Sequence, residues 1–294
     1  MKRRSAEEMM TIIKTVAEGD DNIRAIGMEG SRNDPTAKQD AFADFDITYF
    51  VKTLNPFRKN DEWLAVFGER LMMRKPTMAQ IAGTKQPAYP YLMQFTDGNR
   101  LDLKVACVED QAAYLAAEHE NTVIFDKDHP VKAQPELSTW DFRITAPSTD
   151  DYQESINKFF WNSLYVVKGL KRHELLYANG SFEMDVRREL LTMLRWSVGI
   201  ATNFQTDVGK HDERLKEALA PADYDQLLMT YKLADEDATW VALQVASQLF
   251  LVTARIVADQ MGFDFPTYPQ AVIAYEETLM EAADGTSAGY SPTR

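Results

Sequence analysis

A pair of short motifs near the N-terminus constrains the fold of this chain most strongly. Gly30-Ser31-Arg32 comes first, and Asp44-Phe45-Asp46 follows it. Residues 23–28 have the composition of a strand that runs directly into the Gly-Ser turn, and the aspartates open a second apolar run over residues 47–51. Side chains two residues apart on a strand point to the same face, so the two carboxylates lie side by side. These motifs therefore predict an α/β arrangement for the first half of the chain.

The chemistry of these residue types indicates a phosphate and metal site. Adjacent carboxylates repel each other unless a cation lies between them, and the backbone N–H groups and hydroxyl of a Gly-Ser turn can hold a phosphate. Asp102 lies within a later apolar run, where a charge is costly unless it faces solvent or a cation. Asp44, Asp46 and Asp102 are therefore predicted metal ligands and catalytic groups, and Gly30 and Ser31 are predicted phosphate contacts. The combination indicates nucleotidyl transfer.

Each of these residues also has a simpler interpretation. The three acids could lie on a solvated sheet face, and Ser31 could be an ordinary turn serine. Arg32 could pair with phosphate or with one of the acids, and the sequence favours neither.

Hydrophobic periodicity divides the chain into two parts. Before the Pro147-Ser148 loop, the patterns predict a helix over residues 5–18, a helix that contains Trp63, Phe67 and Leu71, a hairpin around Asp97-Gly98, and a strand over residues 121–125. After the loop, the patterns predict helices over residues 151–177, 183–203, 211–233, 235–261 and 268–283. We therefore predict an α+β protein with a mixed-sheet α/β domain over residues 1–148 and an all-α helical bundle over residues 149–294.

A second group of candidate residues lies in the predicted helical domain. Trp161, Tyr165, Lys168 and Arg172 recur at helical spacing and form one stripe. Such a stripe could stack on a base and offset triphosphate charge, or it could be a half-buried face with extended basic side chains. Lys210 follows Gly209 but lacks the rest of a P-loop, so it is either a further phosphate contact or a loop lysine.

The net charge of −13 restricts the classes of partner. An acidic chain should repel nucleic acid and attract a cationic small molecule. Taken alone, however, the charge favours the simpler interpretation that it keeps the protein soluble. No apolar run reaches the length of about 18 residues needed to span a membrane, and we expect no signal peptide. The only cysteine, Cys107, excludes an internal disulfide and fits a reducing cytoplasm. The four histidines show no metal-ligand or catalytic-triad spacing.

The motifs resemble those of a known family. The Gly-Ser and Asp-x-Asp elements are similar to the signature of the nucleotidyltransferase superfamily with the DNA polymerase β-type fold. Further segments resemble the aminoglycoside 6-adenylyltransferases, namely Phe67-Gly68-Glu69-Arg70, Phe160-Trp161-Asn162, Lys168-Gly169-Leu170, Trp196, and Val208-Gly209-Lys210. These segments are distributed over almost the whole chain.

The resemblance implies a reaction and its participants. ATP and streptomycin would give 6-O-adenylyl-streptomycin and pyrophosphate, with Mg²⁺ held by Asp44, Asp46 and Asp102. Gly30, Ser31 and Arg32 would contact the nucleotide from the first domain, and Tyr165, Lys168 and Lys210 from the second. The partner would be a cationic, streptomycin-like aminoglycoside, with no nucleic acid or membrane partner, and the protein would be a monomer or weak dimer.

Several alternatives stay open at this point. The acceptor could be a protein, as in AMP-transferases of toxin–antitoxin type, or the chain could be an inactive ligand-binding relative. The general base could be Asp102 or an acidic residue of the helical domain, and the possible groups there are Glu154, Glu183, Asp185 and Glu189.

Overall fold

The computed structural model describes residues 2–33, 38, 40–75, 87–117, 121–131 and 142–283. The chain divides into two compact units, Met1–Asp141 and Phe142–Arg294, here called unit 1 and unit 2. The predicted domain boundary between residues 148 and 149 lies a few residues inside unit 2, immediately before its first long helix.

Unit 1 is built on a mixed sheet of six strands in its described part. The strands are β1 (Ile23–Glu29), β2 (Phe45–Val51), β3 (Arg70–Arg74), β4 (Tyr89–Phe95), β5 (Arg100–Cys107) and β6 (Thr122–Asp126). Their order across the sheet is β3-β4-β5-β2-β1-β6. The pair β2–β5 is parallel, whereas the other neighbouring pairs are antiparallel. The predicted strands in this part of the chain are therefore confirmed, including the hairpin of β4 and β5.

Side chains along the central strands alternate between two faces of the sheet, one packed in the main core and the other carrying the polar residues. Phe45, Ile47 and Tyr49 of β2 are fully buried in the core that includes α1 (Ala6–Gly19), and the Tyr49 hydroxyl donates to the Ile13 carbonyl oxygen at 2.7 Å. Asp46 alternates with these residues, so it points to the opposite face. On that face, further along β2, the Phe50 ring packs edge-on against Tyr114 of α3 (Gln111–Ala117).

The helix predicted around Trp63 is wrong beyond Phe67. The structure has a short helix, α2 (Asn55–Lys59), then a 3₁₀-helix over Glu62–Phe67, and Leu71 lies in strand β3. The Trp63 ring packs edge-on against Phe57 and Tyr91, with centroids 4.9 and 5.4 Å away. This aromatic packing fixes the short turn. The Leu71 side chain is exposed in the edge strand β3, so its hydrophobicity does not mark a buried helix face.

Unit 2 is helical throughout its described part, apart from loops and one isolated bridge between residues 143 and 207. The helices are α4 (Thr149–Lys171), α5 (Leu175–Ser181), α6 (Arg187–Ala201), α7 (Leu215–Ala218), α8 (Pro221–Met229), α9 (Glu236–Met261) and α10 (Pro269–Glu281). Phe159 of α4 stacks on Phe250 of α9 with ring centroids 3.9 Å apart. This contact lies in the core of unit 2. The predicted α+β fold class is confirmed.

The helices of unit 2 begin and end at residues with a capping role. Ser148 and Asp151 form a reciprocal capping box at the start of α4. The Asp235 side chain accepts a hydrogen bond from the backbone N–H of Ala238 in the first turn of α9, and Gly262 ends that helix in the left-handed conformation.

Three predicted helices differ from the structure, and two of them are divided. Residues 151–177 cover both α4 and α5, which are separated by His173 at φ 55°. The helix predicted from residue 183 begins as a π-helical turn, Phe182–Val186, before α6. The helix predicted over residues 211–233 is α7 and α8, because Pro221 lacks a backbone N–H and starts a new helix.

By length and composition, α9 resembles a membrane-spanning helix. However, 61% of its most apolar window is buried within the fold. Ala246, Phe250 and Ala254 are among its buried side chains, so α9 is the central core helix of unit 2.

Candidate functional site

Strand register brings the three predicted metal ligands together in unit 1. Asp46 of β2 lies directly opposite Asp102 of β5 in the parallel pair, and Asp44 precedes β2 on the same side as Asp46. One carboxylate oxygen from each of the three residues lies within 4.8 Å of the others. All three side chains are partly accessible. The structure therefore joins residues that are 58 positions apart in sequence into a single carboxylate cluster.

The Gly-Ser turn lies against this cluster. Residues 30–32 form one 3₁₀ turn at the end of β1, and Gly30 has φ +71°, a conformation that favours glycine. A Cβ atom at position 30 would lie 2.6 Å from the Asp46 carboxylate oxygen Oδ2. Glycine thus permits both the turn and the close approach of Asp46. Ser31 occupies the middle of the same turn.

Arg32 contacts two backbone carbonyl oxygens and an aromatic ring. Its Nε and Nη2 donate to the backbone carbonyl oxygens of Asp44 and Ala43, at 2.6 and 2.8 Å. Its guanidinium also lies 3.7 Å from the centroid of the Phe45 ring. These contacts hold the chain that leads into β2, so Arg32 orients the segment carrying Asp44.

The carboxylate cluster has unfavourable electrostatics in the absence of a cation. The pKa of Asp46 is raised to about 7, mainly by burial and in addition by repulsion from Asp44, Asp102 and Glu29. Carboxylate oxygens are the ligands preferred by Mg²⁺, whose bonds to oxygen are about 2.0–2.1 Å long. Two oxygens on either side of such an ion lie about 4 Å apart, so the observed cluster fits a magnesium ion after small side-chain adjustments.

Three residues that were not predicted for the site also contact or border the cluster. Arg100 donates from Nε and Nη2 to both oxygens of Asp102, at 2.9 and 2.6 Å, and its Nε is 3.7 Å from Asp44. Glu29 pairs with Asp46 across β1 and β2, and it accepts a hydrogen bond from Lys104 at 2.6 Å. A sequence signal was available, because Arg100, Asp102 and Lys104 alternate on one face of β5.

The predicted stripe on α4 is a continuous side-chain ladder. The Trp161 indole donates to the Tyr165 hydroxyl at 3.2 Å, and the Lys168 ammonium lies 5.7 Å from the Tyr165 ring centroid. Trp161 is 66% exposed, and Lys168 is also exposed. The spacing argument therefore placed these three residues together correctly, and it placed them on an accessible surface of unit 2.

Lys210 belongs to another part of unit 2. It lies in a short 3₁₀ turn between Gly209, at φ 73°, and His211, at φ 57°. The residues on either side of it, Gly209 and His211, line a cavity together with one face of α6. Its side chain is exposed.

Comparison with known proteins identifies the family of this chain. The model of the streptomycin adenylyltransferase family matches residues 3–279. An aminoglycoside 6-adenylyltransferase of Campylobacter jejuni is 31% identical over 272 residues, covering 92% of this chain and 94% of the relative. The Bacillus subtilis enzyme of the same name is 31% identical over 278 residues, covering 94% and 98%. A crystal structure of an aminoglycoside 6-adenyltransferase from Bacillus subtilis aligns with TM-score 0.48 and 29% identity, over 95% of this chain and 100% of that one.

The family match includes the Gly-Ser turn, the carboxylate cluster and the helices of unit 2. The relatives are matched over nearly their full length. This chain belongs to the streptomycin adenylyltransferase family and is a nucleotidyltransferase.

Proposed function

We propose that this protein transfers AMP from ATP to the 6-hydroxyl group of streptomycin and releases pyrophosphate. The observation that carries the proposal is the convergence of Asp44, Asp46 and Asp102 beside the Gly30-Ser31 turn, in a chain that matches the family over residues 3–279. Relatives named aminoglycoside 6-adenylyltransferase support the choice of acceptor. A reducing cytoplasm, where ATP is available, is the proposed location.

In this reaction, the acceptor hydroxyl oxygen forms a bond to the α-phosphorus of ATP. The bond from that phosphorus to the bridging oxygen of the β-phosphate breaks, and pyrophosphate leaves. Such transfers depend mainly on positioning and on neutralisation of charge. When bound by Asp44, Asp46 and Asp102, Mg²⁺ would neutralise charge on the triphosphate.

The remaining roles fall to side chains and backbone groups of the two units. We propose that Gly30 and Ser31 hold phosphate oxygens, while Arg32 holds the segment that carries Asp44. Tyr165, Lys168 and Lys210 are proposed nucleotide contacts from unit 2. The hydroxyl proton would pass to a carboxylate, either Asp102 or an acidic residue of unit 2.

Pyrophosphate release tests the proposal directly. The purified protein is incubated with ATP and Mg²⁺, with either streptomycin or kanamycin as acceptor. Release with streptomycin and not with kanamycin supports the proposed acceptor, and NMR of the product then identifies the modified hydroxyl. Release with neither drug contradicts the proposal and favours a protein acceptor or an inactive relative.

The Asp46→Asn variant tests the role of the carboxylate cluster. Removal of one anionic ligand should lower kcat at least about a hundredfold while the fold is retained, because charge neutralisation is central to this reaction. The matched control is Asp21→Asn, which alters an exposed carboxylate of unit 1. Near wild-type turnover by Asp46→Asn would contradict the metal assignment.

A further inference from the structure

Phe42 is almost fully exposed to solvent beside the carboxylate cluster of unit 1. Its side chain is 91% exposed, the largest value among the large apolar side chains in the described part of the chain. Successive Cα atoms are about 3.8 Å apart, so the Cα atom of Phe42 lies at most about 7.6 Å from that of Asp44. The ring is therefore within reach of a molecule bound at the cluster.

Hydrogen bonds of the backbone hold the turn that carries Phe42. The Phe42 N–H donates to the Asp40 carboxylate at 2.8 Å, and the Ala43 N–H donates to the Asp40 carbonyl oxygen at 3.3 Å. Arg32 donates from Nη2 to the Ala43 carbonyl oxygen at 2.8 Å. These bonds satisfy the backbone locally, so the turn presents the ring to solvent without needing the ring for its own packing.

This turn lies on the side of the cluster that faces β5. In the sheet order, β1 and β5 flank β2 on opposite sides. Asp40 and Ala41 line a cavity together with Asn99, the residue that precedes β5. The Asp44 carboxylate lies 3.7 Å from Nε of Arg100, the first residue of β5. Both ends of the turn are therefore next to the start of β5.

The position of the leaving group determines the direction from which the acceptor attacks. In phosphoryl transfer, the attacking and leaving oxygens are roughly in line on opposite sides of the phosphorus. The proposed phosphate contacts, Gly30 and Ser31, lie at the end of β1, and a Cβ atom at Gly30 would lie 2.6 Å from Asp46 Oδ2. With pyrophosphate leaving on the β1 side, the acceptor hydroxyl approaches from the β5 side, where the Phe42 turn lies.

The charges nearest to the Phe42 ring along the chain suit a cationic molecule. Partly exposed carboxylates lie two residues before it and two residues after it, at Asp40 and Asp44. The face of an aromatic ring attracts ammonium and guanidinium groups, and neighbouring carboxylates add to this attraction. The basic residues Lys2 and Arg3 line the cavity behind Asp40, but Phe42 does not contribute to that lining.

We propose that Phe42 binds the cationic acceptor of the reaction, with its ring against a guanidinium or ammonium group next to the hydroxyl that is modified. Phe42 is thus a specificity residue, which selects cationic acceptors and takes no part in bond formation or in the binding of ATP. The inference rests on the proposed function, because streptomycin, which carries guanidinium groups, is the acceptor used as the probe.

Steady-state kinetics separate binding of the acceptor from the chemistry. Phe42→Ala should raise the KM for streptomycin about five- to tenfold, as expected for loss of a cation–π contact, and it should leave kcat and the KM for ATP within about twofold of the wild type. Phe42→Tyr keeps an aromatic face and should restore the KM for streptomycin. The matched control is Leu71→Ala, which shortens another exposed apolar side chain of unit 1 and should change none of these parameters.

Binding without turnover is measured with the α,β-methylene analogue of ATP, whose bridge between the α- and β-phosphorus cannot be cleaved. Calorimetric titration of streptomycin in the presence of this analogue and Mg²⁺ should show the same five- to tenfold loss of affinity in Phe42→Ala. Phe42→Trp adds one indole to the five native tryptophans. The difference in its emission from that of the wild type should change when streptomycin binds and stay constant when the analogue binds alone.

The outcomes distinguish this inference from the proposed function. A wild-type protein that neither binds nor modifies streptomycin contradicts both. Wild-type turnover together with unchanged KM and Kd for streptomycin in Phe42→Ala overturns the role of Phe42 alone. A raised KM for ATP with unchanged streptomycin binding also overturns it and assigns the ring to the nucleotide. Because the ring is exposed, the melting temperature of Phe42→Ala should equal that of the wild type, and this measurement excludes misfolding.

Discussion

At the scale of single residues, Arg100 is the least expected member of the site. It bonds to both oxygens of Asp102 and lies near Asp44. A divalent ion coordinated by the cluster needs at least one of the same oxygens. Arg100 and a bound metal ion would therefore compete for Asp102.

This competition leads to a prediction for Arg100→Gln. Loss of the guanidinium should tighten Mn²⁺ or Mg²⁺ binding by up to about fivefold in the absence of ATP, because a partly exposed ion pair of this kind stabilises by about 1 kcal/mol or less. Calorimetric titration with Mn²⁺ measures the effect. Arg24→Gln is the matched control, since Arg24 forms a similar pair with Asp128 outside the cluster. Weaker metal binding by Arg100→Gln would show instead that Arg100 holds Asp102 in the ligating position.

Some site residues could be predicted from the sequence and others could not, depending on whether a regular backbone geometry places them. Asp44, Asp46 and Asp102 could be grouped from sequence because strand alternation has a fixed period, and the structure places them together. The contacts of Arg32 could not be predicted from the sequence, because its partners are backbone carbonyl oxygens of a loop and any residue type carries such an oxygen. The hydrogen bonds from Arg100 to Asp102 could have been predicted, since Arg100 is two residues away on the same strand.

At the scale of elements, the contact between α4 and α10 contains a buried carboxyl group. Glu276 of α10 is 1% exposed and lies in hydrogen-bond contact with the Ser163 hydroxyl of α4. That hydroxyl also donates to the Phe160 carbonyl oxygen at 2.8 Å, so its single proton is used there. A protonated Glu276 can donate to Ser163 and complete the chain. Burial raises the pKa of Glu276 to about 7.

The raised pKa predicts how unfolding depends on pH. The folded protein holds this proton up to about pH 7, whereas the unfolded chain releases it near 4.5, so the stabilisation is complete below 4.5 and is lost as pH rises through 7. Glu276→Gln keeps a neutral donor at every pH. At pH 8 it should exceed the wild type in free energy of unfolding by up to ~3 kcal/mol, and at pH 4.5 the two should be similar.

Urea titrations at both pH values measure this difference. Glu277→Gln, which alters an exposed neighbour, is the control and should show little change. A pH dependence of Glu276→Gln identical to that of the wild type would contradict the assignment.

Element boundaries were predicted where a local signal exists. The caps of α4 and α9 are encoded by Ser148 and Asp235, and both helices start there. The π-helical turn before α6 has no such signal, because the extra residue is accommodated by packing. Strand β3 was missed since its exposed Leu71 extends a helical pattern that ends at Gly68.

At the scale of the whole molecule, each unit has its own buried core, and acidic charge exceeds basic charge overall. The net charge of −13 creates a negative field that favours encounter with a polycation.

The negative field predicts that the KM for a cationic drug depends on the salt concentration. Between 10 and 150 mM NaCl the Debye length falls from about 30 to about 8 Å, so long-range attraction is largely screened. The KM for streptomycin should rise several-fold over this range at saturating ATP and Mg²⁺. Initial-rate measurements test this, with sucrose at matched osmolality as the control. A KM independent of salt would show that the overall charge does not guide the acceptor.

The parallel pairing of β2 and β5 has an evolutionary consequence. Asp46 meets Asp102 only in one register, and a shift by one residue would bring apolar side chains to the proposed metal site and turn carboxylates into the core. Natural variants can therefore exchange residues along these two strands but cannot gain or lose one there. Changes in chain length during divergence must be confined to the connections between strands.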